Sequence, residues 1–243
     1  KGFTPHIERP RTLLVGGGVG IPPMVFLAEH LRERTDAKWT PLVLMGSEIP
    51  FPFRLKPSTV LAPGIPDGVI ACMPLLEGWG IASRLASFGD FPGCYHGYVT
   101  DLAADWLKSL DREVLGEVEM FACGPTPMLK AVANLCGRAG TPCQASFEAR
   151  MACGVGACLS CVIPTRGGYR RVCTEGPVFP ADEIAWHDVQ AVLWKDCARA
   201  ADAKRNNRDA RGHRKMEWAL LEWPHHFAIH ASAFGEHNDG RTT

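Results

Sequence analysis

The 243-residue chain has no surplus of charge of either sign, because Lys plus Arg and Asp plus Glu each total 26. That balance removes any whole-chain electrostatic reason to bind nucleic acid or an anionic membrane. A long uninterrupted apolar run is also missing. The longest uncharged stretch, residues 12–28, contains Gly16, Gly17, Gly18, Gly20, Pro22 and Pro23, a content that a membrane-spanning helix rarely tolerates. No targeting signal opens the sequence. It starts at Lys1 rather than at methionine and runs into a turn-like Gly2-Phe3-Thr4-Pro5, so the expectation is that an N-terminal segment precedes it. With 46% hydrophobic and 21% charged residues, wholesale disorder is excluded. This length accommodates one or two domains.

What is plentiful is cysteine. Four of the ten, Cys153, Cys158, Cys161 and Cys173, fall within 21 residues, while Cys72, Cys94, Cys123, Cys136, Cys143 and Cys197 are scattered. A secreted disulfide framework is normally a short chain of evenly spread half-cystines. One dense cluster in a chain of this size points instead to metal binding in a reducing cytoplasm.

Periodicity supplies the frame. Residues 11–15 form a short apolar run that ends in glycines, as a buried strand does. Met24, Leu27, Ala28 and Leu31 recur at helical spacing over 22–34, with the proline pair in the first turn. A second strand follows at 42–45, and a Pro/Gly-rich loop spans 51–68. A third strand is expected at 69–73, whereas 74–97 has no clear period. Thr100 is expected to cap a helix over 101–110. Residues 117–122 read as a strand and 126–138 as a helix closed by Gly140. Such alternation predicts an α/β fold with a doubly wound parallel sheet over residues 1–145. A small β-rich cluster domain is expected over 146–186, its strands flanking Gly167-Gly168, and needing its metal because so few residues bury little apolar surface. Residues 187–243 form a C-terminal extension. It carries six of nine histidines, and 195–215 holds eight basic against three acidic residues. A solvated extension explains this better than a nucleic-acid arm, and His225, His226 and His230 read as surface histidines rather than metal ligands.

The most specific signal is the spacing Cys153-x4-Cys158-x2-Cys161-x11-Cys173. Four thiolates are what a [2Fe-2S] cluster requires, and C-x4-C-x2-C followed by a distant cysteine is the plant-type ferredoxin arrangement. Structural zinc more often uses two short C-x2-C knuckles. Residues 154–157, Gly-Val-Gly-Ala, supply a loop able to wrap closely around such a cluster.

A second signal is the turn Gly16-Gly17-Gly18-Val19-Gly20 between a strand and a helix. Glycines allow backbone to approach a pyrophosphate, and the helix N-terminus offers free N–H groups. The spacing departs from the G-x-G-x-x-G fingerprint, so the turn alone is a weak signal, with a packing-only role as the lesser alternative. Cys123-Gly124-Pro125 ends a later strand at the same expected edge and, with the glycine turn, suggests a nicotinamide site. Ser47 and Glu48, ending the second strand, are placed to meet the adenosine ribose. No arginine adjoins them, which favours NAD over NADP.

These segments, together with Gly97-Tyr98-Val99-Thr100-Asp101, the run 148–161 and the run 171–179, resemble the electron transfer subunits of class 1B dihydroorotate dehydrogenase, within the ferredoxin reductase-like superfamily. The resemblance covers residues 1 to about 186. It implies an NAD domain, a [2Fe-2S] domain and an N-terminal FAD barrel, with electrons from NADH passing through FAD and the cluster to FMN in a separate catalytic subunit of a hetero-oligomer, in pyrimidine biosynthesis. By motif match, Cys153, Cys158, Cys161 and Cys173 are the implied cluster ligands. The glycine turn and Cys123 to Pro125 line the nucleotide, with Cys123 the candidate catalytic residue.

Two departures stand out: residues 1–243 hold no counterpart of the family's barrel, which ends at the segment matched by Gly2-Phe3, and 74–94 lacks the family's acidic Gly-Ser stretch. A hydride carries two electrons and a [2Fe-2S] cluster takes one, so FAD remains expected. The competing readings are a related sulfide dehydrogenase or hydrogenase reductase subunit, and a non-catalytic ferredoxin-like module.

Overall fold

The computed structural model describes residues 1–189, which all belong to one compact unit. The basic stretch 195–215, His225, His226, His230 and Cys197 lie outside the described residues. In chain order the elements are β1 (Arg11–Gly17), a 3-10 turn (Gly18–Gly20), α1 (Ile21–Glu33), β2 (Leu42–Gly46), β3 (Lys56–Pro57), β4 (Ala71–Cys72), α2 (Pro74–Gly78), β5 (Ala82–Ser87) and β6 (Tyr95–His96). There follow α3 (Val99–Lys108), α4 (Arg112–Leu115), β7 (Val118–Cys123), α5 (Thr126–Ala139), β8 (Cys143–Ser146), β9 (Val162–Thr165), β10 (Gly168–Arg171), α6 (Val172–Glu175) and β11 (Val178–Pro180).

Seven strands form one sheet in the order β11-β8-β7-β1-β2-β5-β6. Every neighbouring pair is parallel except β11 with β8. The chain winds outward from β1 through β2, β5 and β6, then returns to lay β7 on the other side of β1. This reversal is the switch point at which open α/β sheets bind ligands, beyond the carboxyl ends of the strands.

Both faces are covered, as a parallel sheet requires. On one, α1 buries Ile21, Met24, Leu27, Ala28 and Leu31 against Leu14, Val43, Met45, Leu85 and Phe121. On the other, α3 and α5 bury Leu102, Trp106, Leu129, Val132 and Leu135 against Leu13, Val15, Leu44 and Met120. Gly140, at φ 69°, ends α5 as predicted. Near the chain start, Phe3 packs edge-to-face on Phe121 with ring centroids 5.6 Å apart. The buried Glu119 accepts hydrogen bonds from the His6 amide (3.0 Å) and from Gln144 Nε2 (2.9 Å).

Three expectations are corrected. Residues 69–73 are not a strand of the main sheet: only Ala71–Cys72 is extended, and it pairs antiparallel with β3. The third parallel strand is β5, inside the unassigned stretch 74–97. Its sequence, Ala-Ser-Arg-Leu-Ala-Ser, shows no apolar run because Ser83, Arg84 and Ser87 are themselves buried. The Arg84 guanidinium satisfies two N–H groups locally, donating to the Ser83 carbonyl (2.7 Å) and the Val60 carbonyl (2.9 Å). Thr100 does not cap α3. The helix starts two residues earlier than expected, at Val99 with Tyr98 as its first flank, since Val99 is buried against Gly46. Finally, the segment carrying β9 to β11 does not rely on a core of its own. Its Ile163, Val172, Phe179, Ala181 and Ile184 join Phe147 and Ala145 in the core of the main sheet.

A carboxylate holds the β3–β4 region to α2. Glu77 accepts from the Thr59 amide (2.6 Å), the Thr59 hydroxyl (2.7 Å) and the Ser58 hydroxyl (2.8 Å). Burial works against its charge, but these donors outweigh it and draw its pKa from the ordinary 4.5 down to about 2. A lowered acid pKa gives stability that is complete above pH 4.5 and is lost as the pH falls towards 2. The urea midpoint of Glu77→Gln is therefore expected below that of the parent at pH 7, with the gap closing between pH 4.5 and 2. A gap constant across that range would contradict the assignment.

Candidate nucleotide edge and thiol pairs

The carboxyl ends of the strands stand in one row. Register places Gly16 beside both Met45 and Cys123, Cys123 beside Ser146, Gly46 beside Ala86, and Ser87 beside His96. The predicted glycine turn and Cys123-Gly124-Pro125 are therefore neighbours across the switch point, although about a hundred residues separate them. Their approach is close enough to dictate composition: a Cβ on Gly20 would lie 1.9 Å from the Cys123 carbonyl oxygen and 2.6 Å from the Gly124 nitrogen. Only glycine allows that contact. Gly18 and Val19 are exposed on the turn, and α1 begins directly behind it with Pro22 and Pro23, which carry no N–H, while the Ile21 amide is bonded to the Gly18 carbonyl, so the donors available to the crevice are those of the turn itself.

Cys123 is partly buried, and that burial pushes its thiol pKa up, with Glu148 adding to the effect and a hydrogen bond to Ser146 opposing it. It is therefore a neutral thiol at physiological pH, a surface for contact rather than a nucleophile. Ser47 and Glu48 directly follow β2, but the Ser47 hydroxyl donates to the Ile49 carbonyl (2.7 Å), closing its own turn, and Glu48 is exposed.

Periodicity gave no hint of a third group at this edge. Phe88 just after β5, His96 at the end of β6 and Tyr98 just beyond it form an aromatic cluster, with Phe88 4.7 Å from Tyr98 and 5.7 Å from His96 between ring centroids. Phe88 and Tyr98 are 51% and 62% exposed, which is unusual for two large rings in contact and marks a surface able to accept another ring. The one signal for it was Gly97-Tyr98 within a motif quoted above.

From Ser146 the chain leaves the same edge towards the cysteine loop. Cys153 lies seven residues on, so its Cα is within about 24 Å of that of Ser146. Positive φ at Gly154 (67°), Leu159 (58°) and Gly156 (82°) coils the loop, and Gly156 is buried beneath Thr174 and Arg171. The four cysteines stand as two pairs. The Cys158 amide donates to Cys153 Sγ (3.4 Å), whereas the Cys161 thiol is hydrogen-bonded to Cys173. The Val172 amide donates to the Cys161 carbonyl (3.0 Å), bringing α6 with Cys173 onto the loop. Among the described residues, no three His, Cys, Asp or Glu side chains are gathered as ligands of a single ion.

Ser160 organises the loop. Its hydroxyl lies 3.1 Å from Cys158 Sγ, accepts from the Ala152 amide (3.1 Å) and reaches the Arg150 carbonyl (3.3 Å). The hydrogen bond from Ser160, followed by those from Cys153, draws the Cys158 pKa down to about 6. A thiolate at neutral pH is the form that binds iron. The donor set fits a two-iron centre: four thiols, two by two, at the end of a coiled backbone loop.

Residues 148–185 match the model of the iron–sulfur cluster binding domain of dihydroorotate dehydrogenase B. The dihydroorotate dehydrogenase B (NAD(+)) electron transfer subunit of Caldanaerobacter subterraneus is 33% identical over 186 residues, 73% of this chain and 60% of the relative. That of Shouchella clausii is 37% identical over 177 residues, 71% of this chain and 56% of the relative. Over the part it shares with them, the chain is similar to these subunits, and it spans about three-fifths of the length of these curated relatives. Among solved structures, it is similar to a chain of the NADH-dependent reduced ferredoxin-NADP oxidoreductase described for flavin-based electron bifurcation, with 27% identity, a TM-score of 0.56, and coverage of 80% of this chain and 61% of the other. The family's ferredoxin reductase-like architecture is thus present, and no helix among the described residues is long and apolar enough to cross a membrane.

Proposed function

We propose that this chain passes reducing equivalents between NAD(H) and a flavoprotein partner, as the electron transfer component of a dihydroorotate dehydrogenase in pyrimidine biosynthesis. The observation that carries the reading is the two-by-two arrangement of thiols on a loop issuing from the carboxyl edge of the sheet that also carries the glycine turn. When bound, the nicotinamide nucleotide supplies a hydride, FAD divides its two electrons, and the [2Fe-2S] cluster carries them singly.

The residues divide the work. Cys153 with Cys158 would hold one iron of the cluster, and Cys161 with Cys173 the other. Gly16, Gly17, Gly18, Val19 and Gly20 receive the pyrophosphate on the backbone of the turn, since Pro22 and Pro23 at the start of α1 carry no N–H. Cys123, Gly124 and Pro125 form the wall against the nicotinamide, where the neutral Cys123 thiol excludes water without competing for the hydride. Adenine rests on Tyr98 and Phe88, and the ribose meets Ser87 together with Ser47 and Glu48. Neither 47–48 nor 87–90 contains a lysine or arginine to take a 2′-phosphate, so NADH is expected to bind about tenfold more tightly than NADPH. FAD is assigned to the barrel that the family resemblance implies, and to no residue of this chain.

Stacking of a base on an aromatic side chain contributes about 1–3 kcal/mol. Tyr98→Ala is accordingly expected to weaken NADH binding about tenfold in a fluorescence titration while leaving iron content unchanged. An unaltered affinity would remove the aromatic cluster from the site.

The functional test is co-purification with the FMN-containing dihydroorotate dehydrogenase catalytic subunit, followed by an assay of NADH-linked interconversion of dihydroorotate and orotate. A stable complex with turnover supports the reading. Failure to bind that subunit, with NADH-dependent reduction of a different acceptor, supports the second reading, a related reductase subunit, which the likeness to the ferredoxin-NADP oxidoreductase chain favours.

A further inference from the structure

The amino-terminal edge of the sheet, opposite the nucleotide edge, holds a cavity of about 440 Å³ between the end of α1, the start of β2 and the start of β5. Its charged lining is of one sign: Arg32, Arg34 and Lys38, with no carboxylate among the lining residues. Two indoles stand beside them. Arg32 lies over the Trp79 ring at 5.4 Å and Arg34 over the Trp39 ring at 4.9 Å. Asp36 lies outside the lining and is already committed, pairing with Arg34 and accepting from Trp39 Nε1 (3.0 Å). Arg32 and Lys38 have no ion pair among the described residues. Leu31 and Ile81 add an aliphatic wall.

This combination is more than a solvated basic surface. A guanidinium held over an indole is restrained in position while its N–H groups directed away from the ring can still donate to a carboxylate, sulfonate or phosphate oxygen. Basic residues at a helix C-terminus also answer its dipole, and α1 ends here. That role, however, requires neither the two tryptophans nor a cleft of this size. The volume lies in the range of small-molecule sites.

We propose that this cavity is a binding site for a flat organic anion of about mononucleotide size, distinct from the nucleotide edge. The anionic group pairs with Arg32 and Lys38, and the ring body lies against Trp79, Trp39 and the aliphatic wall. Because the cavity is on the other side of the sheet from the glycine turn, occupancy does not compete with NADH.

The test uses the full chain and 8-anilinonaphthalene-1-sulfonate, an aromatic sulfonate that emits when taken into an apolar site, added in the presence of saturating NADH. Saturable binding is expected, weakened at least tenfold in Lys38→Glu and in Arg32→Ala/Lys38→Ala. Both replaced residues are exposed, and Lys38→Glu leaves both guanidinium–indole pairs in place. Unchanged NADH affinity and far-ultraviolet circular dichroism confirm that the variants are folded. Raising salt from 0.05 to 0.5 M, roughly a threefold fall in the Debye length, should weaken the parent and not the double variant. Equal probe affinity in the parent and Lys38→Glu, or displacement of the probe by NADH, overturns the proposal.

Discussion

Cys158→Ser is expected to leave the protein without its visible chromophore while its sheet domain stays folded. The parent, isolated without oxygen, should contain about two irons and two acid-labile sulfides per chain. Removing one thiolate from the pair Cys153–Cys158 leaves one iron short of a ligand, and serine oxygen is a poor substitute on a site built for sulfur. The cysteine loop should lose its order with the metal. The rest should not, because Cys158 is exposed and the buried side chains of the segment pack in the core of the main sheet. Iron analysis, the visible spectrum and an NADH titration together check this: iron and colour lost, NADH affinity kept. Cys197→Ser, outside the described residues, should change none of the three. A variant that retained the parent's spectrum would show that Cys158 is not a ligand.

Gly20→Ala has the second large effect, and on the opposite function. The added methyl carbon would sit 1.9 Å from the Cys123 carbonyl oxygen and 2.2 Å from its carbon. Both are backbone atoms, so no rotamer change relieves the clash. Either the start of α1 moves off the end of β7 or the Cys123-Gly124 peptide moves out of the crevice. Overpacking against backbone costs about 3 kcal/mol or more, which for a chain of this size lowers the melting temperature by about 6–12 °C. The same displacement opens the pyrophosphate turn, so NADH affinity should fall at least a hundredfold while iron content is retained. Gly18→Ala is the contrast: its φ of 54° is unfavourable for alanine, but nothing lies within 4 Å of the added carbon. A cost of only about 1–2 kcal/mol is expected there. If Gly20→Ala melted within 2 °C of the parent, the glycine turn would not be packed on Cys123.

The two substitutions also separate the halves of the proposed function. One removes single-electron passage and keeps nucleotide binding; the other does the reverse.

Much of this was legible in the residues themselves. The strand at 11–15, the helices that became α1 and α5, the Gly140 stop and the β9–β10 hairpin about Gly167-Gly168 all follow from local periodicity and turn chemistry, and the structure has them. Where the reading failed, a buried polar residue had hidden the pattern. β5 carries Ser83, Arg84 and Ser87 inward, and an apolar template finds no strand in it. At 69–73 the composition promised a strand, but β4 lies off the main sheet. Phe88 and Tyr98 went unnoticed for a related reason: two aromatics ten residues apart on different elements form no sequence period.

By itself, then, the sequence determined the chemistry available: four thiols at a spacing suited to two irons, a glycine turn between strand and helix, and a fold class. Each depends on residues close together in the chain, where spacing is geometry. Only the tertiary structure decided that Gly20 closes onto Cys123, that Phe88 and Tyr98 share that edge, and that Arg32 and Lys38 meet two tryptophans at the opposite one. These depend on strand order and register, which bring together residues tens to over a hundred positions apart, and no local pattern carries that information.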